Sequence, residues 1–387
     1  YLDRILVKML VPRGLTFFTD VENDFECILR RGLQKFFSWP RANVQTSPEK
    51  AKLNQRIRER IGFKAEVAFD QCERLMLFEL RKLSGHNAQI SFHLRTKQWV
   101  IASKNVCVLA ADPQELDLPI YESKTYAIAK LIGLEFFNLL NSGLKAKVAE
   151  LRQFLGSEGI TFVGEFCGNS SAPHLIESPR ELVFYAAVKN ASTLICLSPL
   201  YAKSLFDYFG LRSAELLGYR EVRNKEEFFA ALDAAATVYR GQFDTVGEGV
   251  VVYTVAPGSP GVDEPGRSEV VGLTKVKTLH YSVFRNLREN LNRFLADVER
   301  GMASQADAGR YFDAFAVRVA QLVKADEEEA AGQDYFLEVG VVAFRFAGEH
   351  LSRPLVFDNF AKFLRLARIA AEESRSLELG DFAHSGT

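Results

Sequence analysis

The stretch Leu75-Met76-Leu77-Phe78-Glu79-Leu80-Arg81-Lys82-Leu83-Ser84-Gly85-His86-Asn87-Ala88-Gln89-Ile90-Ser91-Phe92 decides the reading of the fold. Leu75–Phe78 and Ala88–Phe92 have the short apolar runs of β-strands, and Ser84-Gly85-His86-Asn87 has the composition of a tight turn joining them. A lysine at the end of a strand, followed by a glycine turn, projects its amine into a cleft while the backbone stays close to a ligand. Lys82 has that position. Lys-x-x-Gly alone is weak, because it arises by chance about once or twice in a chain of this size. A decoy is present in Lys130-Leu131-Ile132-Gly133, which lies in a helical pattern, whereas Lys82 has strands on both sides.

Working outward, Gln98–Ala102 predicts a further strand, and residues up to about 110 alternate apolar runs with turn chemistry. From Ser123 to about Leu155 the period becomes helical, with Leu131, Leu134, Phe136, Phe137 and Leu139 on one face and Leu151, Phe154 and Leu155 in a second helix. Strand character returns at Ile160–Val163, Leu182–Tyr185, Val250–Tyr253 and Glu269–Leu273. The proline- and glycine-rich segment from Pro257 to Gly266 predicts an exposed hairpin loop. After about Tyr281 the pattern is helical to the end, through Leu287, Leu291 and Phe294, then Phe312, Phe315 and Val319, then Phe360, Phe363 and Leu364. The acidic run Asp326–Glu329 reads as a solvated helix end. These patterns predict an α+β domain over residues 1–283 and a helical domain over 284–387.

The 387 residues suffice for two domains, and 48% hydrophobic with 25% charged residues is ordinary for a globular protein. A net charge of −1 announces no nucleic acid, but a strand needs only a local stripe of Lys and Arg. The 31 phenylalanines offer well-filled cores and stacking surfaces. Five scattered cysteines without a CxxC pair argue against a disulfide framework or zinc site and for a reducing, intracellular compartment. Tyr1-Leu2-Asp3-Arg4 does not open a signal peptide, no apolar stretch predicts a membrane span, and the missing initiator methionine suggests a trimmed chain or fragment.

The order of the polar elements carries the functional reading. After Lys82-Leu83-Ser84-Gly85 come Ser103-Lys104-Asn105, Phe162-Val163-Gly164-Glu165, Glu181-Leu182-Val183-Phe184-Tyr185, Glu248-Gly249-Val250-Val251 and Lys275-Val276-Lys277. This series resembles motifs I, Ia, III, IIIa, IV and V of the covalent nucleotidyltransferases: DNA ligases, RNA ligases and mRNA capping enzymes. Upstream, Arg31-Gly32-Leu33-Gln34-Lys35-Phe36-Phe37-Ser38 resembles the Lys-Phe-Phe-Asn element of the phage RNA ligase 1 type and of fungal-type tRNA ligases, with Ser38 where asparagine is usual. The helical tail argues against the β-rich OB domain of DNA ligases and capping enzymes. The resemblance implies a nucleotidyltransferase fold of antiparallel sheets flanked by helices, followed by a helical C-terminal domain.

What the resemblance implies chemically is an ATP-dependent RNA ligase that joins 3′-hydroxyl and 5′-phosphate RNA ends, with Mg²⁺ or, as an alternative, Mn²⁺. Lys82 would take AMP, with Lys275 and Lys277 as catalytic cations at the α-phosphate. Arg31, Lys35, Gly85 and Lys104 would help bind ATP. Glu165 and Glu248 would hold the metal or a ribose hydroxyl, and Phe184 would stack on adenine with Tyr185 as the fallback. An attacking amine must be unprotonated, and lysine has a reference pKa of about 10.4, so neighbouring cations that disfavour the ammonium suit the chemistry. Each assignment has a plain counterpart: a solvated lysine at a turn, strand-end carboxylates, and a core aromatic. His86, His174 and His280 receive no role. A capping-type guanylyltransferase, a DNA ligase, or an inactive nucleotide- or RNA-binding scaffold remain as alternatives. RNA repair and tRNA splicing are the processes such an enzyme would serve; no membrane is expected.

Overall fold

The computed structural model describes residues 12–40, 48–168, 174–176, 178–240, 247–257, 268–323, 330–350, 356–357 and 360–384. The chain begins with the hairpin β1 (Leu15–Asp20) and β2 (Phe25–Arg31), the short β3 (Phe37–Ser38) and helix α1 (Pro48–Phe69). Four strands follow: β4 (Leu75–Lys82), β5 (His86–His93), β6 (Gln98–Ala102) and β7 (Cys107–Ala110). Helices α2 (Ala127–Ser142) and α3 (Val148–Ser157) precede β8 (Ile160–Cys167) and β9 (Glu181–Lys189). Then come α4 (Pro199–Phe209), β10 (Leu216–Val222), α5 (Lys225–Arg240), β11 (Gly249–Ala256) and β12 (Glu269–Lys277). The chain ends in α6 (Leu279–Glu299), α7 (Ala308–Val323), α8 (Ala330–His350) and α9 (Phe360–His384).

Two five-stranded sheets form the larger part, in the orders β10-β4-β11-β12-β3 and β7-β6-β5-β8-β9. All pairings are antiparallel except β12 with β3. The fold is therefore α+β with antiparallel sheets and C-terminal helices, as the sequence predicts. The expectation of a hairpin turn at Ser84–Asn87 fails. β4 and β5 are not a hairpin: they lie in different sheets, and Leu83–Gly85 carries the chain from one to the other.

Alternation along the strands explains the layers. In β4, Leu75 and Leu77 join a core under α1 and α5, while Phe78 and Leu80 face the second sheet. Both faces of this strand are covered, hence its near-continuous apolar run. On the second sheet, Ala88, Ile90, Phe162 and Phe184 point away from the first and pack under α2, α3 and α4 with Phe136 and Phe206. Val163, Val183, Ala186 and Val188 face inward. A fourth core binds α6 to α9 around Phe284, Leu287, Phe294, Phe315 and Phe336, and Leu175 from the segment after β8 belongs to it. Leu279 and Val283 already pack there, so this cluster begins directly after β12.

The region before residue 110 departs from the expectation of strands and turns by containing α1, 22 residues long. Its exposed face is dense in Lys and Arg, which blurs the apolar period, while Ala65 and Ala68 supply the buried side. Most of the segment from Pro257 to Gly266 and the run Asp326–Glu329 lie outside the described residues. Among the described residues no helix is long and apolar enough to cross a membrane.

Phe184 is fully buried, its ring 6.0 Å from that of Phe162 and 5.6 Å from that of Phe206. It is a core residue and not a nucleotide stacker. We expect Phe184→Ala to lower the unfolding free energy by about 3–5 kcal/mol, the usual cost of emptying such a site. Denaturant titration measures this; a cost below ~1 kcal/mol would contradict the placement.

Candidate active site

Pairing register places the charged side chains. Gly249 of β11 stands between Lys82 of β4 and Lys277 of β12, and Val251 stands between Leu80 and Lys275. Lys82, Lys277, Lys275, Val251 and Tyr253 therefore share the face that looks toward the second sheet. Glu248 is fixed by backbone bonds on both sides, its N–H donating to Lys82 O at 2.9 Å and its carbonyl accepting from Thr278 N at 3.2 Å. Gly249 adopts φ +132°, and a Cβ there would sit 2.1 Å from Val276 O. Glycine is thus required directly after Glu248.

The second sheet supplies the opposite wall. Asn87 pairs with Glu165 across β5 and β8, so both point inward with Gln89. Gly85 leaves room for this wall: a Cβ would lie 2.4 Å from Phe166 O and 2.8 Å from Glu165 Cγ. A bulge between Val163 and Gly164 leaves Tyr185 without a register partner and turns it inward, while Phe184 faces the core. Tyr253 Oη donates to Tyr185 O at 3.1 Å, tying the two sheets together.

A cleft of about 630 Å³ opens between the sheets, lined by Lys82, Gly85, Lys104, Glu165, Tyr185, Glu248, Lys275 and Lys277 among others. Seven of the residues singled out from the sequence thus converge, with the fallback Tyr185 replacing Phe184. Lys104 stands exposed just after β6, at the rim. Arg31 is not brought in: its Nη1 donates to the carbonyls of Ala191 and Ser192 at 2.6 and 2.8 Å. Lys35 lines an adjoining cavity, and its neighbours Gln34 and Phe36 line both.

Sequence reading missed Arg13, Asn87 and Gln89, which also line the cleft. Arg13 carries no local signal. Asn87, Gln89 and Ser91 do, because polar residues at every second position of a strand buried on both faces need a reason. Arg30 Nη1 donates to Gln89 Oε1 at 3.0 Å, Gln89 Nε2 to Asn87 Oδ1 at 2.7 Å, and Asn87 Nδ2 to Tyr185 Oη at 2.9 Å. Arginine can only donate, so it fixes both amide orientations and, through them, the hydroxyl that faces the cleft.

Lys82 Nζ lies 2.5 Å from Glu248 Oε2 and 3.3 Å from Leu83 O. Burial works to raise the Glu248 pKa, but Lys82, Lys277 and a hydrogen bond from Tyr281 outweigh it and hold the carboxylate ionised below its ordinary range. Glu165 is pushed up to about 7 by burial; the Lys82 charge opposes this and the Glu248 charge adds to it. Burial lowers Lys275 to about 8, helped by the charges of Lys82 and Arg13. Burial also lowers Lys277 to about 7, against the pull of Glu248 and with the push of Arg285. Its ammonium lies 4.4 Å from the Tyr281 ring centroid.

The donor set suits a hydrated divalent cation. Mg²⁺ takes one or two carboxylates and keeps waters, and a cation beside Glu165 and Glu248 would restore the charge that burial denies Glu165. Among the described residues no group of three or more His, Cys, Asp or Glu side chains is placed to hold a metal. Two carboxylates under three lysines are instead a donor set that could hold a polyphosphate bringing its own cation.

The model of the RNA ligase family matches residues 12–264. The chain belongs to the RNA ligase family. The match spans the hairpin, the second sheet, the first sheet except β12, and the cleft-lining residues up to β11; it stops short of Lys275 and Lys277. No curated protein matches this RNA ligase. Among solved structures it is similar to an archaeal ATP-dependent RNA ligase, at 14% identity and a TM-score of 0.47, covering 89% of this chain and 80% of that one. It is also similar to a Naegleria gruberi RNA ligase mutant solved with ATP and Mn, at 13% identity and a TM-score of 0.35, covering 55% of this chain and 52% of that one.

The shifted lysines make stability depend on pH. Lys277 titrates at about 7 when folded and at its ordinary 10.5 when unfolded. Between those values the unfolded chain holds a proton that the folded one has lost, so this residue's destabilising contribution, full below pH 7, fades as pH rises. Thermal unfolding should show Lys277→Met more stable than the parent at pH 6, with the advantage shrinking toward pH 10. A pH-independent difference would contradict the assigned shift.

Proposed function

We propose that this RNA ligase is ATP-dependent and works through a lysyl–AMP intermediate on Lys82. The observation that carries the reading is the convergence of Lys82, Lys275, Lys277, Glu165 and Glu248 from three strands and one strand-preceding turn onto one cleft. Lys82 Nζ attacks the α-phosphorus of ATP. The new N–P bond forms as the bond to pyrophosphate breaks, and the amine proton leaves, Glu248 being the nearest carboxylate. Lys275 and Lys277 offset charge on the phosphate oxygens, and burial raises their effect by excluding water. Glu165 and Glu248 would hold a divalent cation, which would supply further charge neutralisation. Lys104 reaches the nucleotide or the RNA phosphate from the rim.

In the two following steps an RNA 5′-phosphate oxygen takes the AMP from Lys82, and a 3′-hydroxyl then displaces AMP to seal the strand. The protein's part in each is to hold an in-line geometry and to neutralise charge. Tyr185, with its hydroxyl fixed by the chain from Arg30, takes the role of lining the nucleotide that Phe184 cannot fill. We further propose residues 1–283 as the catalytic domain and 284–387 as the helical domain, a boundary inside the first turns of α6, and an intracellular setting for the enzyme.

Incubation with Mg²⁺ and ATP labelled on the α-phosphate, after pyrophosphate treatment to strip any resident AMP, tests the first step. The parent and Lys130→Ala should carry label through denaturing electrophoresis and Lys82→Ala should carry none. Lys130 is paired with Asp117 at 2.8 Å, outside the cleft, which makes it a suitable control. Equal labelling of Lys82→Ala, or no label on the parent, would overturn the reading.

A further inference from the structure

Beside the catalytic cleft lies a second cavity of about 60 Å³, several times what one water requires. Lys35, from the segment before β3, and Arg60 and Lys64, from α1, line it; its remaining walls include the rings of Phe36, Phe37 and Phe228. Among the described residues that line it there is no carboxylate. Gln34 and Phe36 line this cavity and the catalytic cleft alike, so the two are neighbours along one wall. Lys275 Nζ, inside the cleft, lies 5.4 Å from the Phe36 ring centroid.

Arg60 and Lys64 also belong to a longer pattern. Lys52, Arg56, Arg60 and Lys64 recur every four residues on α1 and so form one stripe along the helix. Lys52, Arg56 and Lys64 are exposed. The opposite side of the helix is tied down: Arg58 pairs with Asp233 at 2.9 Å and lies 4.4 Å from the Trp39 ring centroid, and Ala65 is buried; Ala68, one turn beyond Lys64 on the stripe's own row, is buried too and ends the stripe. The helix is thereby held with Lys52 and Arg56 in solvent and Arg60 and Lys64 at the cavity. Desolvation and the charge of Arg60 lower the Lys64 pKa, as happens where like charges are held together. A chain of net charge −1 has concentrated cations on one helix face that ends at the wall of its active site.

We propose that the α1 stripe and this cavity form a track for the RNA phosphodiester backbone, with Lys35, Arg60 and Lys64 holding one phosphate next to the catalytic cleft. Cations spaced along a groove with aromatic rings beside them are the means by which proteins hold single strands without reading sequence. The cavity is too small for a nucleotide but suits a phosphate group, and the stripe leads away from the cleft, as a polymer requires. A bound ATP tail offers the same phosphate chemistry in place of RNA, and the experiment separates the two. The proposal rests on the RNA ligase reading above.

The double variant Arg60→Gln/Lys64→Gln is compared with the parent in two assays. Fluorescence anisotropy with a short single-stranded RNA, across a salt series, should show affinity about tenfold weaker at low salt. The slope of log affinity against log salt should be shallower by about 0.7 for each phosphate that the variant no longer neutralises. Labelling of Lys82 from ATP should stay within about twofold of the parent. The charge-retaining variant Arg60→Lys/Lys64→Arg should keep the parent slope. Unchanged RNA affinity and slope would overturn the track. So would a loss of labelling with RNA binding intact, which would assign the cavity to the ATP tail, or an equal loss in the charge-retaining variant. A parent that takes no label would instead sink the ligase reading, so the two failures are distinguishable.

Discussion

Everything at the centre of this molecule depends on three residues of backbone. Between Lys82 and His86 the chain leaves one sheet and enters the other, and a Cβ at Gly85 would lie 2.4 Å from a carbonyl oxygen of the second sheet. That close approach sets the sheets against each other so that a lysine ending one strand faces a glutamate projecting from another. A hairpin would have placed β4 and β5 side by side and left no cleft. The same geometry explains why strands that are hydrogen-bonded neighbours of Lys82, β11 above all, must carry the complementary carboxylate. Glu248 is held by the backbone of Lys82 through its N–H and meets the same residue's amine through its side chain.

The electrostatics follow from burying three lysines and two glutamates in one enclosed place. Neither sign is fully satisfied. Glu165 is driven toward neutrality by burial, and Lys275 and Lys277 are driven toward losing their protons by burial and by the nearby charges of Lys82 and Arg285. A site in that condition gains from an anionic ligand accompanied by a cation: the anion restores the lysines and the cation restores the glutamate. That charge pattern suits the nucleoside triphosphate and metal proposed as its ligands. Helix α6 contributes as well, since its Tyr281 bonds Glu248 and lies against Lys277.

Much of the site was legible because strand-end lysines, glycines and carboxylates came in a resolved order, and alternation then fixes which of them share a face. Lys275 and Lys277 are two apart and so had to point the same way. The misplacements have physical causes of the same kind. Phe184 and Tyr185 are adjacent in a strand covered on both faces, so period alone leaves the phase open, and the bulge opposite Gly164 is invisible in the sequence. The pairing of β4 and β5 was misjudged because a short glycine-containing connection serves equally for a hairpin and for a crossing between stacked sheets. Helix α1 was missed because its charged face dilutes the apolar period, yet that face is what gives it interest. The buried polar alternation of Asn87 and Gln89 was readable and marks the floor of the cleft.

The central claim, that Lys82 and no other amine of the cleft is the nucleophile, has a real rival in Lys277, which burial brings to about 7 and which faces the same space. The most direct test is to digest the protein after reaction with ATP and to locate the adenylate by tandem mass spectrometry under conditions that preserve the phosphoramide. The account predicts the adduct on the peptide containing Lys82, with the Lys275–Lys277 peptide unmodified. An adduct on Lys277 or Lys275 would contradict it and would recast Lys82 as one of the cations that hold the phosphate.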